Sequence, residues 1–241
     1  MSLEITNLSI GSAGKDILND MSFSLDAGEI VAILRSNGAG KSELVLGVAG
    51  MLPTRSGQVC VDGKDISGKS PDIVRASGVA AVPEGHKVLA QLSVDENLRS
   101  AGSLHSAKLQ ENLFKTYDRF PELAERKTQL AGTLSGGQQQ MVALGHALMS
   151  APHYLIIDEI SLGLAPLIVK RLFGVVRELQ AQDVGIVLIE QFTDLALGVA
   201  DRAVVLRSGQ AKCSGPESAL LADPHLLDEA YFGAGHQRAL P

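Results

Sequence analysis

The sequence predicts an α/β protein: a mostly parallel β-sheet covered by helices and interrupted by a helical insertion. Three observations lead there. Apolar runs of strand length alternate with helical stretches through the second half of the chain, the order that builds a parallel sheet. Residues 30–34, Ile-Val-Ala-Ile-Leu, are apolar at every position, as in a strand buried on both faces. A glycine-containing loop then turns that strand directly into a helix.

Taken in order, residues 3–10 and 21–25 read as β-segments with alternating apolar positions. The strand at 30–34 precedes the loop, and a helix is expected from Lys41 to about Ala49. Residues 57–61 form another strand, with Asp62-Gly63 as its turn. Residues 79–82 make a short buried strand that runs into Pro83. The character changes over 93–120, where helix formers dominate and Val94, Leu98, Leu109, Leu113 and Phe120 mark apolar points in a polar background. A loop at 131–133 leads to a helix at 137–149, and Tyr154 opens a strand over 154–157. The remainder alternates: helix 166–182, strand 186–189, helix 193–200, strand 203–206. The whole chain, 1–241, reads as one domain, with a core of 1–82 and 151–241 around an insertion at about 83–150.

Composition bounds the function. Of 241 residues, 45% are hydrophobic and 20% charged, enough for a packed core and a soluble surface. The net charge of -6 gives no basic footprint, so nucleic acid is not an expected partner. No secretion signal or membrane-length apolar run is expected, which places any membrane role with partners. Cys60 and Cys213 fall in strand-like stretches and read as buried thiols in a reducing compartment. The histidines show no metal-site spacing.

Three motifs carry chemistry. In Asn37-Gly38-Ala39-Gly40-Lys41-Ser42 the glycines let the backbone curl so that several N–H groups point at one anion, and the following helix adds its positive end. Lys41 would reach the β- and γ-phosphates, and the Ser42 hydroxyl would sit on Mg²⁺. In Ser135-Gly136-Gly137-Gln138, Ser135 suits an N-cap and the glycines admit a phosphate close to the helix N-terminus. In Tyr154-Leu155-Ile156-Ile157-Asp158-Glu159 an apolar strand ends in two acids, where ligands sit in open α/β sheets. Asp158 can hold Mg²⁺ through water, and Glu159 can act as general base.

In this order, the three motifs and the helical stretch before the second resemble the nucleotide-binding domains of ABC transporters. The resemblance covers essentially the whole chain and implies a P-loop NTPase core, an antiparallel β-subdomain and the helical insertion. Pro83-Glu84-Gly85, Ser93-Val94-Asp95-Glu96-Asn97-Leu98, Ser161-Leu162-Gly163-Leu164-Ala165-Pro166, Glu190-Gln191 and the tail from Asp223-Pro224 to Gly233 resemble the shorter ATPase of branched-chain amino-acid importers.

The resemblance implies hydrolysis of ATP with Mg²⁺. Asn37 to Glu43 and the turn Ser135, Gly136 and Gly137 would hold nucleotide, the latter on a second, stacked ATPase subunit. Glu84 would join Ser42 and Asp158 at the metal and link it to the insertion, and Gln191 would contact the γ-phosphate or the attacking water. Implied partners are a second ATPase subunit, homologous or identical, two transmembrane permease subunits and a periplasmic or extracellular binding protein. The implied location is peripheral, on the cytoplasmic face of the inner (plasma) membrane.

The chain departs from the pattern at Arg35, where Gly is usual, at Glu43, at His146 in place of Arg and at Ile160 in place of Pro. An adenine-stacking aromatic is also missing over 9–14. Arg35, Glu43 and the missing aromatic favour a second reading, a subunit that binds nucleotide and hydrolyses it weakly or not at all.

Overall fold

A computed structural model describes residues 1–12, 15–35, 40–207 and 210–216. Two sheets organise them. The strands Ser2–Ser12 (β1) and Lys15–Asp26 (β2) pair antiparallel, and Thr54–Val61 (β4) and Lys64–Asp65 (β5) complete a four-stranded sheet in the order β2-β1-β4-β5. The second sheet has six strands in the order β10-β9-β3-β8-β7-β6. These are Ile30–Arg35 (β3), Val79–Val82 (β6), Tyr154–Asp158 (β7), Gly185–Glu190 (β8), Arg202–Arg207 (β9) and Gln210–Pro216 (β10). All its pairings are parallel except β10 on β9.

Continuous apolarity in the parallel strands follows from what covers them. Alternate residues face opposite sides of a strand. In β3, Ile30, Ala32 and Leu34 enter one core, whereas Val31 and Ile33 enter the other. β7 and β8 divide in the same way. One core lies between the two sheets and includes Leu44, Val45 and Val48 of the helix Lys41–Val48 (α1). The other lies under a helical layer, so residues 83–150 share it with the parallel strands.

That layer holds Val94–Gly102 (α3), Leu109–Arg119 (α4), Pro121–Ala124 (α5), Gly136–Leu148 (α6), Pro166–Gln180 (α7) and Thr193–Leu197 (α8); Pro71–Ala76 (α2) lies before it in the chain. Ser93 caps α3 in a reciprocal box with Glu96, and Ser135 does the same for α6 with Gln138, so each side chain meets an orphan N–H of the first turn. Of the apolar points expected over 93–120, Val94, Leu98, Leu113 and Phe120 are buried and Leu109 packs partly against the same core.

The structure corrects several expectations. β2 begins at Lys15 rather than near Met21, and α2, β5, α5 and β10 are elements not anticipated. Residues 131–133 form a 3-10 turn instead of a loop, and α8 stops at Leu197, with Gly198 as its cap. Cys60 is only partly buried, because it faces outward on the outer sheet; the Cys213 side chain lies outside the described set. The expected tail 223–233 and residues Asn37, Gly38 and Ala39 also lie outside the described residues. Among the described residues, no helix is long and apolar enough to cross a membrane.

Candidate functional site

Parallel strands deliver their carboxyl ends to one edge of the sheet, and the chemistry-bearing residues collect there. Beyond β3, Gly40 takes a left-handed φ of 82°, and a Cβ at this position would stand 2.9 Å from the Ile17 carbonyl oxygen. Only glycine makes that approach without strain. Lys41 and Ser42 then open α1, whose first-turn N–H groups point back toward the strand tips. The Lys41 and Arg35 side chains lie outside the described set, and Glu43 sits partly exposed in the first turn.

Ser42 Oγ donates to Asp158 Oδ2 at 3.3 Å, joining the start of α1 to the end of β7. Carboxylate oxygens of Glu84, Asp158 and Glu159 lie within 4.8 Å of one another. Asp158 and Glu159 are buried and Glu84 is partly buried. A cavity of about 410 Å³ opens beside them, lined by Ser42, Val45, Leu46, Pro83, Glu84, Gly85, Lys87 and Asp158. A hydroxyl and three carboxylates form an all-oxygen donor set suited to a hard divalent cation such as Mg²⁺.

Ser135, Gly136 and Gly137 are not among the described residues lining this cavity, and neither is Gln191. Ser135 and Gly136 stand exposed at the head of α6. Gly137 is buried because the helix passes against α7: a Cβ there would lie 2.7 Å from Ile168 Cγ2. Gln191 is exposed just past β8.

Other residues support the site although the sequence alone assigns them no role in it. The His86 ring, two residues after Glu84, bonds through Nδ1 to Oε1 of buried Gln140 at 2.5 Å, tying the acidic loop to α6. Fully buried Asn97 accepts from the Leu89 N–H at 2.8 Å and donates to the carbonyls of Leu89, Leu92 and Ser93. Glu190, the last residue of β8, is buried, and its carboxyl is pushed above the usual carboxylate range by loss of solvent, opposed by bonds from Ser161. A Glu ending an apolar strand carried no spacing signal that could have revealed it.

A helix leaving the tip of β3, acids beyond the next-but-one parallel strand and a covering antiparallel sheet together make the P-loop NTPase fold in its ATP-binding-cassette form. A solved nucleotide-free ATP-binding cassette from an ABC transporter superposes with a TM-score of 0.83 at 28% identity, covering 95% of this chain and 98% of that one. A solved ATP-binding cassette of an ABC transporter in its ADP conformation gives 0.82 at 28% identity, over 95% and 98%.

The ABC transporter family model matches residues 18–161. The chain belongs to the ABC transporter family, on the side of its ATP-binding proteins. It is 41% identical to the high-affinity branched-chain amino acid transport ATP-binding protein BraG of Pseudomonas aeruginosa, over 90% of this chain and 93% of that protein. A probable branched-chain amino acid transport ATP-binding protein, LivF of Archaeoglobus fulgidus, is 32% identical over 91% and 94%. The ribose import ATP-binding protein RbsA of Halalkalibacterium halodurans is 33% identical over 87% of this chain but 44% of its own length.

Proposed function

We propose that this chain hydrolyses ATP to drive an importer of branched-chain or related amino acids. The observation that carries the reading is the meeting of Ser42, Glu84, Asp158 and Glu159 at the N-terminus of α1. In this reading Asn37 to Glu43 hold the nucleotide phosphates, with Lys41 on the β- and γ-phosphates. Ser42, Asp158 and Glu84 hold Mg²⁺, which would neutralise phosphate charge when bound. Glu159 takes a proton from the attacking water, and Gln191, a neutral donor and acceptor, orients that water or the γ-phosphate.

The turn Ser135, Gly136 and Gly137, exposed at Ser135 and Gly136, meets nucleotide on a second ATPase subunit, homologous or identical, stacked head to tail. The core, 1–82 and 151–241, carries the nucleotide; the part at about 83–150 receives, around Gly85 to Leu98, a cytoplasmic helix of the membrane subunit, and two transmembrane permease subunits complete the complex at the cytoplasmic face of the inner (plasma) membrane. A periplasmic or extracellular binding protein supplies substrate, and nucleic acid has no part. The amino-acid assignment is supported by the 41% relative over nearly its full length, against 33% for a ribose importer.

The test is turnover of ATP·Mg²⁺ with Glu159→Gln. Hydrolysis should fall by about 10²-fold or more, the range for losing a general base, while nucleotide still binds. Undiminished turnover would reject the assignment. Glu43, an acid in the first turn beside the phosphate loop, favours the second reading of a weakly hydrolysing subunit. Tight ATP binding with no turnover in the unaltered chain would select it.

A further inference from the structure

We propose that Glu190 is a positioning residue that clamps the turn carrying Glu159; the inference rests on the role of Glu159 given above. Glu159 has a left-handed φ of 49°, a conformation that L side chains adopt at a cost. Such a conformation persists only where its surroundings hold it, and two contacts from the end of β8 do so. The Glu159 N–H donates to the Ile189 carbonyl at 2.9 Å. The next residue of β8, Glu190, accepts at Oε1 from the Ser161 N–H at 3.1 Å and at Oε2 from Ser161 Oγ at 2.8 Å. The amides of Ile160 and Gln191 also favour its charge.

The carboxylate is therefore spent on the two residues that follow Glu159. It is 1% exposed, and among the described residues no salt bridge to it is present. A charge in that position is costly to bury without a cation, and an apolar residue would serve packing better. What an apolar residue cannot do is accept the N–H groups of a tight turn. Ile160 contributes one of them, a donor that proline in its place would lack. Glu190 thus sets where the Glu159 carboxylate points relative to Ser42 and Asp158, and touches no reacting atom itself.

The experiment compares the full-length chain with Glu190→Ala, Glu190→Gln and Glu159→Gln, reading kcat and KM for ATP·Mg²⁺ and the crystal structure of Glu190→Ala. Displacing a base by a fraction of an ångström to one ångström costs about 10- to 100-fold, so kcat should fall by that factor in Glu190→Ala with KM within about twofold. Glu190→Gln keeps one acceptor oxygen and should lose no more than about threefold. In the Glu190→Ala crystal, Glu159 should leave the left-handed region. An unchanged kcat, a KM that rises in step with the fall in kcat, or an undisturbed Glu159 backbone overturns the clamp. If Glu159→Gln hydrolyses normally, or the unaltered chain does not hydrolyse, the assignment of the base fails, and the backbone of Glu159 in the variant crystal alone decides the clamp.

Discussion

His146 offers a quantitative test of how the helical layer packs on the core. It lies near the end of α6 against α2, where Arg75 Nη2 donates to its backbone carbonyl at 2.5 Å. Burial, and then the nearby Arg75 charge, lowers the imidazole from 6.5 to about 4. A base held below its unfolded value binds its proton less readily when folded. Its contribution to stability is therefore complete above pH 6.5 and lost progressively as pH falls to about 4. At 1.36 kcal/mol per unit, the full loss is about 3 kcal/mol.

Glu190, whose carboxyl is raised, acts in the opposite sense: its cost to the fold disappears as it protonates on acidification. The clean quantity is consequently the difference between the unaltered chain and His146→Gln, which stays neutral at every pH and leaves other groups in place. Urea unfolding followed by circular dichroism from pH 7.5 to 4 should show that difference shifting by about 3 kcal/mol in favour of the variant. Two curves that run parallel within about 0.5 kcal/mol, the ordinary scatter for additive sites, would refute the buried, proton-poor imidazole.

Two further outcomes are expected. Asn97→Ala leaves several backbone groups of the 89–93 segment without their buried partner, and should cost about 3 kcal/mol, read as a fall in thermal midpoint of roughly 6–12 °C. Ser42→Ala removes the hydroxyl that bonds Asp158, and calorimetry should show the enhancement of ATP affinity by Mg²⁺ shrinking by about tenfold, while binding without Mg²⁺ changes little. An equal Mg²⁺ enhancement in both proteins would remove Ser42 from the metal site.

Much of the fold was legible because its parallel strands are apolar on both faces and two of its helices, α3 and α6, begin with explicit capping serines. β6 falls at 79–82 as expected, and α6 begins within one residue of its expected start, where Ser135 supplies the cap. The misses have a common cause. α2 is six residues long and buries only Val74 among its members, so no apolar period forms. β5 is two residues held by pairing with β4, and β10 is an edge strand whose pattern is set by its neighbour. The early start of β2 likewise depends on its partner β1, whose register it follows from Ser12 back to Ser2.

The sequence by itself determined which residue types stand at the strand tips: a curling loop and hydroxyl at Gly40 to Ser42, paired acids at Asp158 and Glu159, and an acid at Glu84. Local backbone chemistry is enough for that, because a glycine-bearing turn, a capping serine and an apolar strand each announce themselves within a few residues. Only the tertiary structure decided that those acids stand within 4.8 Å of one another, that Ser42 bonds Asp158 across 116 positions, and that Glu190 turns inward onto Ser161. The physical reason is the order of the parallel sheet, which interleaves β3, β8, β7 and β6 from distant parts of the chain. Which side chains meet there is a property of strand order and packing, and no local pattern encodes it.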